Sequence, residues 1–139
     1  MRFRSAVPAL PVGDTATAAE FYERTLGLRT VHREAAVAIL VRDEVELHLW
    51  AAADRTWQAR TLPPGATPIE SGAESFLAGT GSCRIAVEDI AALYAACEAA
   101  QIVHPNGALA DKPWGATEFA ILDPDGNCVT FTESSRPAG

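Results

Sequence analysis

The chain has 139 residues, the length of one domain and enough to bury a real core. Hydrophobic residues make up 48% and charged residues 21%, the balance of a soluble globular protein, and no apolar run is long enough to span a bilayer. With 11 basic against 18 acidic residues the net charge is −7, which argues against nucleic acid or an anionic membrane as a partner.

Met1-Arg2-Phe3-Arg4 leads straight into a strand-like stretch with no signal-peptide apolar region, so cytoplasm is the expected location. Ser5 to Val12 reads as a strand broken by Pro8 and Pro11, and proline inside a strand points to an edge or a bend. Asp14 reads as the N-cap of a helix carrying Ala18, Ala19, Phe21, Tyr22 and Leu26 at helical spacing, with Glu20 and Arg24 paired and Gly27 as the stop. Strands are expected at Leu28 to Arg33, Ala36 to Val41 and Val45 to Ala51, with Arg42-Asp43-Glu44 turning between the last two. These elements form a first module at about 1–51.

The stretch 52–80 breaks this pattern with prolines and glycines, and a connection this long is either a linker or a functional lid. Trp57 and Phe76 lie within it as candidates for packing over a cavity. Ser82 to Val87 resumes as a strand, and Glu88-Asp89 is expected to cap a helix with the apolar stripe Ile90, Leu93, Tyr94, Cys97 and Ala100. Strands follow at Ile102 to His104, near Leu109, and at Ala116 to Leu122 and Cys128 to Thr132. The second module, about 81–134, repeats the first: Val12-Gly13-Asp14 before Phe21-Tyr22 echoes Val87-Glu88-Asp89 before Leu93-Tyr94. The three cysteines, Cys83, Cys97 and Cys128, have no C-x-x-C spacing, fall on predicted elements and read as buried free thiols.

Alternation along Val45 to Trp50 puts Val45, Leu47 and Leu49 on one face and Glu46, His48 and Trp50 on the other. The first set packs on a helix; the second faces whatever the sheet encloses. A carboxylate and an imidazole two residues apart on one face can bind a metal or act as acid and base, or simply form a solvated polar pair. No G-x-S-x-G and no phosphate-binding glycine loop is present.

The last strands carry the densest pattern. Lys112-Pro113-Trp114-Gly115, Glu118-Phe119, Asp123-Pro124-Asp125-Gly126-Asn127 and Cys128 to Phe131 read as a hairpin. In it Pro124 sets a type I turn, Asp123 accepts from the turn backbone, and Gly126 or Asn127 takes the left-handed position. Trp114, fixed between proline and glycine, reads either as a core residue or as a platform that stacks on a flat group and attracts a cation.

This stretch resembles the C-terminal signature of the bleomycin resistance proteins, within the glyoxalase/bleomycin-resistance/dioxygenase superfamily. The resemblance implies an α+β fold of two tandem β-α-β-β-β modules whose curved mixed sheets enclose a cleft. It implies an arm-exchanged homodimer too, since Ser5 to Leu10 looks like the family's N-terminal arm with Pro8 at the hinge. The superfamily's metal-ligand positions carry over to Val7, Glu46, Ser82 and Thr130, of which only Glu46 can coordinate, so no metal and no cofactor is expected. In the bleomycin resistance proteins the tryptophan matching Trp114 helps sandwich the drug. The second sandwiching aromatic falls at Val37, which offers no π face, and His32 stands near another family aromatic.

The resemblance therefore implies a non-enzymatic antibiotic-binding protein that sequesters a bleomycin-type glycopeptide. Trp114 and Gly115 would form the stacking platform, Glu46 would face the ligand's cationic part, and His48, Trp50, His32 and Val37 would line the cleft. The alternatives are a metal-dependent lyase, isomerase or dioxygenase using Glu46 and His48, and a binder of another small molecule, which Val37 keeps open.

Overall fold

The computed structural model describes residues 1–52, 64–65 and 77–135. The elements run β1 (Ala9–Val12), α1 (Thr15–Leu26), β2 (Arg29–Arg33), β3 (Val37–Arg42), β4 (Val45–Ala51), β5 (Ser82–Ala86), α2 (Ile90–Ala99), β6 (Ala110–Lys112), β7 (Ala116–Leu122) and β8 (Cys128–Ser134). They form two four-stranded mixed sheets, β1-β4-β3-β2 and β5-β8-β7-β6. In each sheet the first strand runs parallel to its neighbour and the remaining pairs are antiparallel. The fold is α+β, with one helix per sheet.

Helix α1 forms as its sequence dictates. The Asp14 side chain accepts from Thr17 N at 2.8 Å, which satisfies an otherwise open donor of the first turn. Gly27, at φ 68°, ends the helix by turning its N–H back to Glu23. Ala18, Ala19, Phe21, Tyr22 and Leu26 are buried with Leu10, Val12, Leu40, Leu47 and Leu49 of the first sheet. Burying each leucine side chain contributes about 2 kcal/mol, and these residues make the module's core. Glu20 and Arg24 form no ion pair among the described residues. Both are exposed, where holding two long side chains together costs as much as it gains.

Helix α2 is capped from outside. Asp89 sits at φ 58° with its side chain making no cap bond. Instead the Glu133 carboxylate accepts from Asp89 N at 2.8 Å and Ile90 N at 3.2 Å, placing negative charge at the helix's positive end.

Two predicted strands are shorter or missing. The first begins at Ala9, so Ser5 to Pro8 is not strand, although Pro8 O still accepts from His48 N at 3.0 Å. Pro11 is tolerated because β1 is an edge strand, paired among the described residues only to β4. Ile102 to His104 makes a single bridge, Val103 to Ile121, before Pro105, Asn106 and Gly107 turn the chain away, and β6 starts only at Ala110. Of the cysteines Cys97 is buried, whereas Cys83 and Cys128 are half-buried; all three are free. Trp57 and Phe76 lie outside the described residues. Among the described residues no helix is long and apolar enough to cross a membrane.

The loop between β7 and β8 joins the two sheets. Asp123 Oδ1 accepts from the backbone N–H groups of Asp125, Gly126 and Asn127 at 3.0, 3.0 and 2.9 Å, and Gly126 takes φ 100°. Its other oxygen accepts from Tyr22 Oη on α1 at 2.9 Å and from Asn127 Nδ2 at 2.9 Å. Asn127, fully buried, also donates to Pro11 O of β1 at 2.8 Å and accepts from Gly81 N at 2.8 Å. Burial first, and then the neighbouring Asp123 charge, push the Tyr22 hydroxyl far above the usual tyrosine range, so it stays a donor. A turn that reads as local geometry in the sequence thus holds one half of the molecule to the other.

Candidate functional site

The sheet register brings five of the predicted residues onto one wall. Trp50 of β4 lies opposite Val37 of β3 on one side and Pro11 of β1 on the other; His48 lies opposite Ile39 and Ala9, and Glu46 opposite Val41. His32 of β2 also pairs with Ile39, after a register shift between Thr30 and His32. Cross-strand partners share a face, so Glu46, His48, Trp50, Val37 and His32 all project from the side away from α1, while Leu47 and Leu49 are buried beneath it. His48 Nε2 and Glu46 Oε2 are 2.8 Å apart, and His32 Nε2 is 3.6 Å from Glu34 Oε2. The wall therefore offers a carboxylate–imidazole pair beside a half-buried indole.

The donor set does not suit a metal ion. Among the described residues no three His, Cys, Asp or Glu side chains come together. Of the four positions that the resemblance marks for metal ligands, Val7 has no donor atom in its side chain, Ser82 pairs with Cys128, and Thr130 pairs with Arg84 rather than with Ser82. A catalytic metal site needs about three protein ligands, and only Glu46 qualifies.

Trp114 belongs to a second wall, on the other sheet. It occupies the tight turn between β6 and β7, where Gly115 adopts φ 84° and its N–H returns to Lys112 O at 3.1 Å. Only a residue without a Cβ takes that conformation freely, which explains the Trp-Gly pair. The indole is 55% exposed, so Trp114 is not a core residue. Its Nε1–H donates to Glu118 Oε2 at 3.1 Å. The same oxygen accepts from Thr132 Oγ1 at 2.9 Å and from Arg84 Nη2.

Sequence reasoning names Glu118 as part of the signature but gives it no role. At 3% exposure it is a charged group inside the sheet, on the β7 face it shares with Ala116 and Ala120. Burial opposes its ionisation, but the hydrogen bonds from Trp114, Thr132 and Arg84 and the nearby guanidinium outweigh it, so the carboxyl is held below the usual glutamate range. The available signal was a lone acid immediately before the run Phe119 to Leu122, out of phase with the core residues Phe119 and Ile121. A small cavity of about 220 Å³ opens here, lined by Arg84, Asn106, Lys112, Trp114, Glu118 and Thr130 among others.

A larger cavity, about 1030 Å³, lies between the two halves and is lined by Leu26, Leu28, Val45, Ile85, Leu93 and Phe131 among others. None of the predicted site residues borders it, and neither cavity contains both walls. Within one chain the structure brings Glu46, His48, Trp50, Val37 and His32 together and places Trp114 and Gly115 apart from them. The first eight residues carry no strand, and Met1 and Phe3 are fully or largely exposed.

Known proteins resemble the chain along nearly all of its length. It is 45% identical over 131 residues to a bleomycin resistance protein of Geobacillus stearothermophilus, covering 94% of this chain and 97% of the relative. A bleomycin resistance protein of Klebsiella pneumoniae is 30% identical over 140 residues, covering 96% and 95%. The crystal structure of a bleomycin-binding protein from Streptomyces verticillus, complexed with copper(II)-bleomycin, superimposes with a TM-score of 0.68 at 26% identity over 96% of this chain and 98% of that one. Residues 4–131 match the Glyoxalase/Bleomycin resistance protein/Dioxygenase superfamily, and the chain belongs to it.

Proposed function

We propose that this protein binds a bleomycin-type glycopeptide and sequesters it without chemical change. The observation that carries the reading is the exposed indole of Trp114, presented on a glycine-supported turn in a chain 45% identical to a bleomycin resistance protein. An indole held open to solvent can stack on a flat heteroaromatic group and attract a cation to its face. Protection then follows from mass action: affinity and protein abundance set how much free drug remains. Among the described residues, no third His, Cys, Asp or Glu joins Glu46 and His48 to make a metal site.

In this reading the chain is one domain with modules at about 1–51 and 81–134 and a connecting segment at 52–80. It acts in the cytoplasm as a homodimer. Because the Glu46 wall and the Trp114 wall stand on different sheets, the complete cleft is formed when a second copy brings its first wall opposite Trp114. The exposed arm ahead of Pro8 would cross to that copy. Glu46 then faces the drug's cationic part, His48 and His32 line the wall, Gly115 keeps the platform turn, and Trp50, which lies against Val37, supplies the aromatic face that Val37 lacks.

Calorimetric titration of metal-free protein with metal-free bleomycin tests the proposal. Submicromolar affinity at one drug per subunit is expected. No binding heat at several temperatures would refute it.

A further inference from the structure

Glu118 poses a question that the fold does not answer. A buried carboxylate is costly unless it is fully hydrogen-bonded, and β7 would satisfy its place in the sheet with any small residue, as Ala116 and Ala120 do on the same face. The single oxygen Oε2 collects donors from three elements: Arg84 of β5, Thr132 of β8 and the Trp114 indole on the β6–β7 turn. Two of these partners are themselves exposed, Trp114 at 55% and the Arg84 side chain at 56%. The carboxylate thus anchors from below two side chains that face outward.

We propose that Glu118 is a positioning residue for the stacking platform: it holds the Trp114 indole N–H and so fixes the plane of the exposed ring before a flat ligand arrives. Each contact that restricts the rotamers of an aromatic side chain on an exposed turn reduces the ordering left to be done on binding, which would weaken affinity. A hydrogen bond to an ionised acceptor is stronger than one between neutral groups, and burial of that acceptor keeps water from competing for it. The inference rests on the sequestration reading for its ligand but not for its geometry.

The test uses the full chain with Glu118→Gln, Trp114→Phe and the double variant, titrated with metal-free bleomycin. Glu118→Gln should weaken binding about tenfold when Trp114 is present and no more than about twofold when residue 114 is phenylalanine and has no N–H to hold. Equal losses in both backgrounds would mean that Glu118 supports the fold or meets the drug itself, and would overturn the proposal.

A second readout needs no drug. In the free protein Glu118→Gln should shift the indole N–H resonance of Trp114 and leave those of the other two tryptophans in place. Movement of all three, or of none, would overturn it. Failure of the unaltered protein to bind bleomycin would sink sequestration, while the indole resonance would still decide the tether. If Glu118→Gln does not fold, 3-benzothienylalanine in place of Trp114 keeps the fused ring and removes the N–H. An affinity loss of about tenfold then supports the tether, and unchanged affinity overturns it.

Discussion

Asn127→Ala is the sharpest test of how the two halves are joined. The side chain is fully buried and makes three hydrogen bonds, to Pro11 O, from Gly81 N and to Asp123 Oδ2. Truncation does not orphan every partner: Pro11 O keeps Gly79 N at 3.0 Å, and Asp123 Oδ2 keeps Tyr22 Oη at 2.9 Å. Only Gly81 N–H is left without its acceptor. A neutral bond contributes about 1 kcal/mol, an unsatisfied part-buried donor costs about as much, and a bond to a carboxylate contributes somewhat more, so the loss comes to about 3 kcal/mol. That is a large share of the stability of a domain this size and lowers Tm by roughly 10 °C. Urea unfolding followed by circular dichroism measures it. Asp125→Ala is the internal control, since it removes only the exposed bond from Gly13 N to Asp125 Oδ1 and should cost less than about 1 kcal/mol. If Asn127→Ala costs no more than this control, the loop is not what joins the halves and the argument fails.

Three further outcomes are expected. Trp114→Ala should lower Tm by no more than about 5 °C, because the ring is half exposed and Glu118 keeps its bonds from Thr132 and Arg84, while weakening bleomycin at least tenfold in calorimetry; unchanged affinity would remove Trp114 from the site. Gly79→Ala should be poorly tolerated, since Gly79 has φ 86° and an added Cβ would lie 1.9 Å from Asp125 O, and soluble yield and Tm would both fall. Glu118 titrates below its unfolded value, so the stability it contributes is fully present above the ordinary glutamate range and is lost as pH falls through its lower folded value. Acid unfolding of Glu118→Gln should therefore lack that part of the acid limb; superimposable acid profiles would refute the assignment.

The sequence was most legible where one periodicity acted alone. In β4 the strict alternation of Leu47 and Leu49 with Glu46, His48 and Trp50 fixes both register and face, and Asp14 and Gly27 bound α1 because their caps are local. It was least legible where the partner lay far along the chain. Asp89 looks like an N-cap, but Glu133, 44 residues away, does the capping. Ile102 to His104 has strand-like residues, yet Pro105 and Gly107 allow only one bridge to β7. Glu118 shows no spacing relation to Arg84 or Thr132, since three strands bring them together. Glu46, His48 and Trp50 share one face of β4 because alternation is local; their separation from Trp114 follows from the arrangement of two sheets, which no window of sequence encodes.

The loop Asp123-Pro124-Asp125-Gly126-Asn127 also bears on how such chains diverge. It is the most conspicuous part of the signature, yet every hydrogen bond described for its side chains is spent on the loop itself, on Tyr22, or on the backbone at Pro11, Gly13 and Gly81. The residues by which a reader recognises the lineage are therefore its mortar, while the residues proposed to meet the ligand, Trp114, Glu46 and their neighbours, stand on open sheet faces. Those faces are free to drift without loosening the joint, so a descendant could exchange one guest for another and still carry the family's mark unchanged.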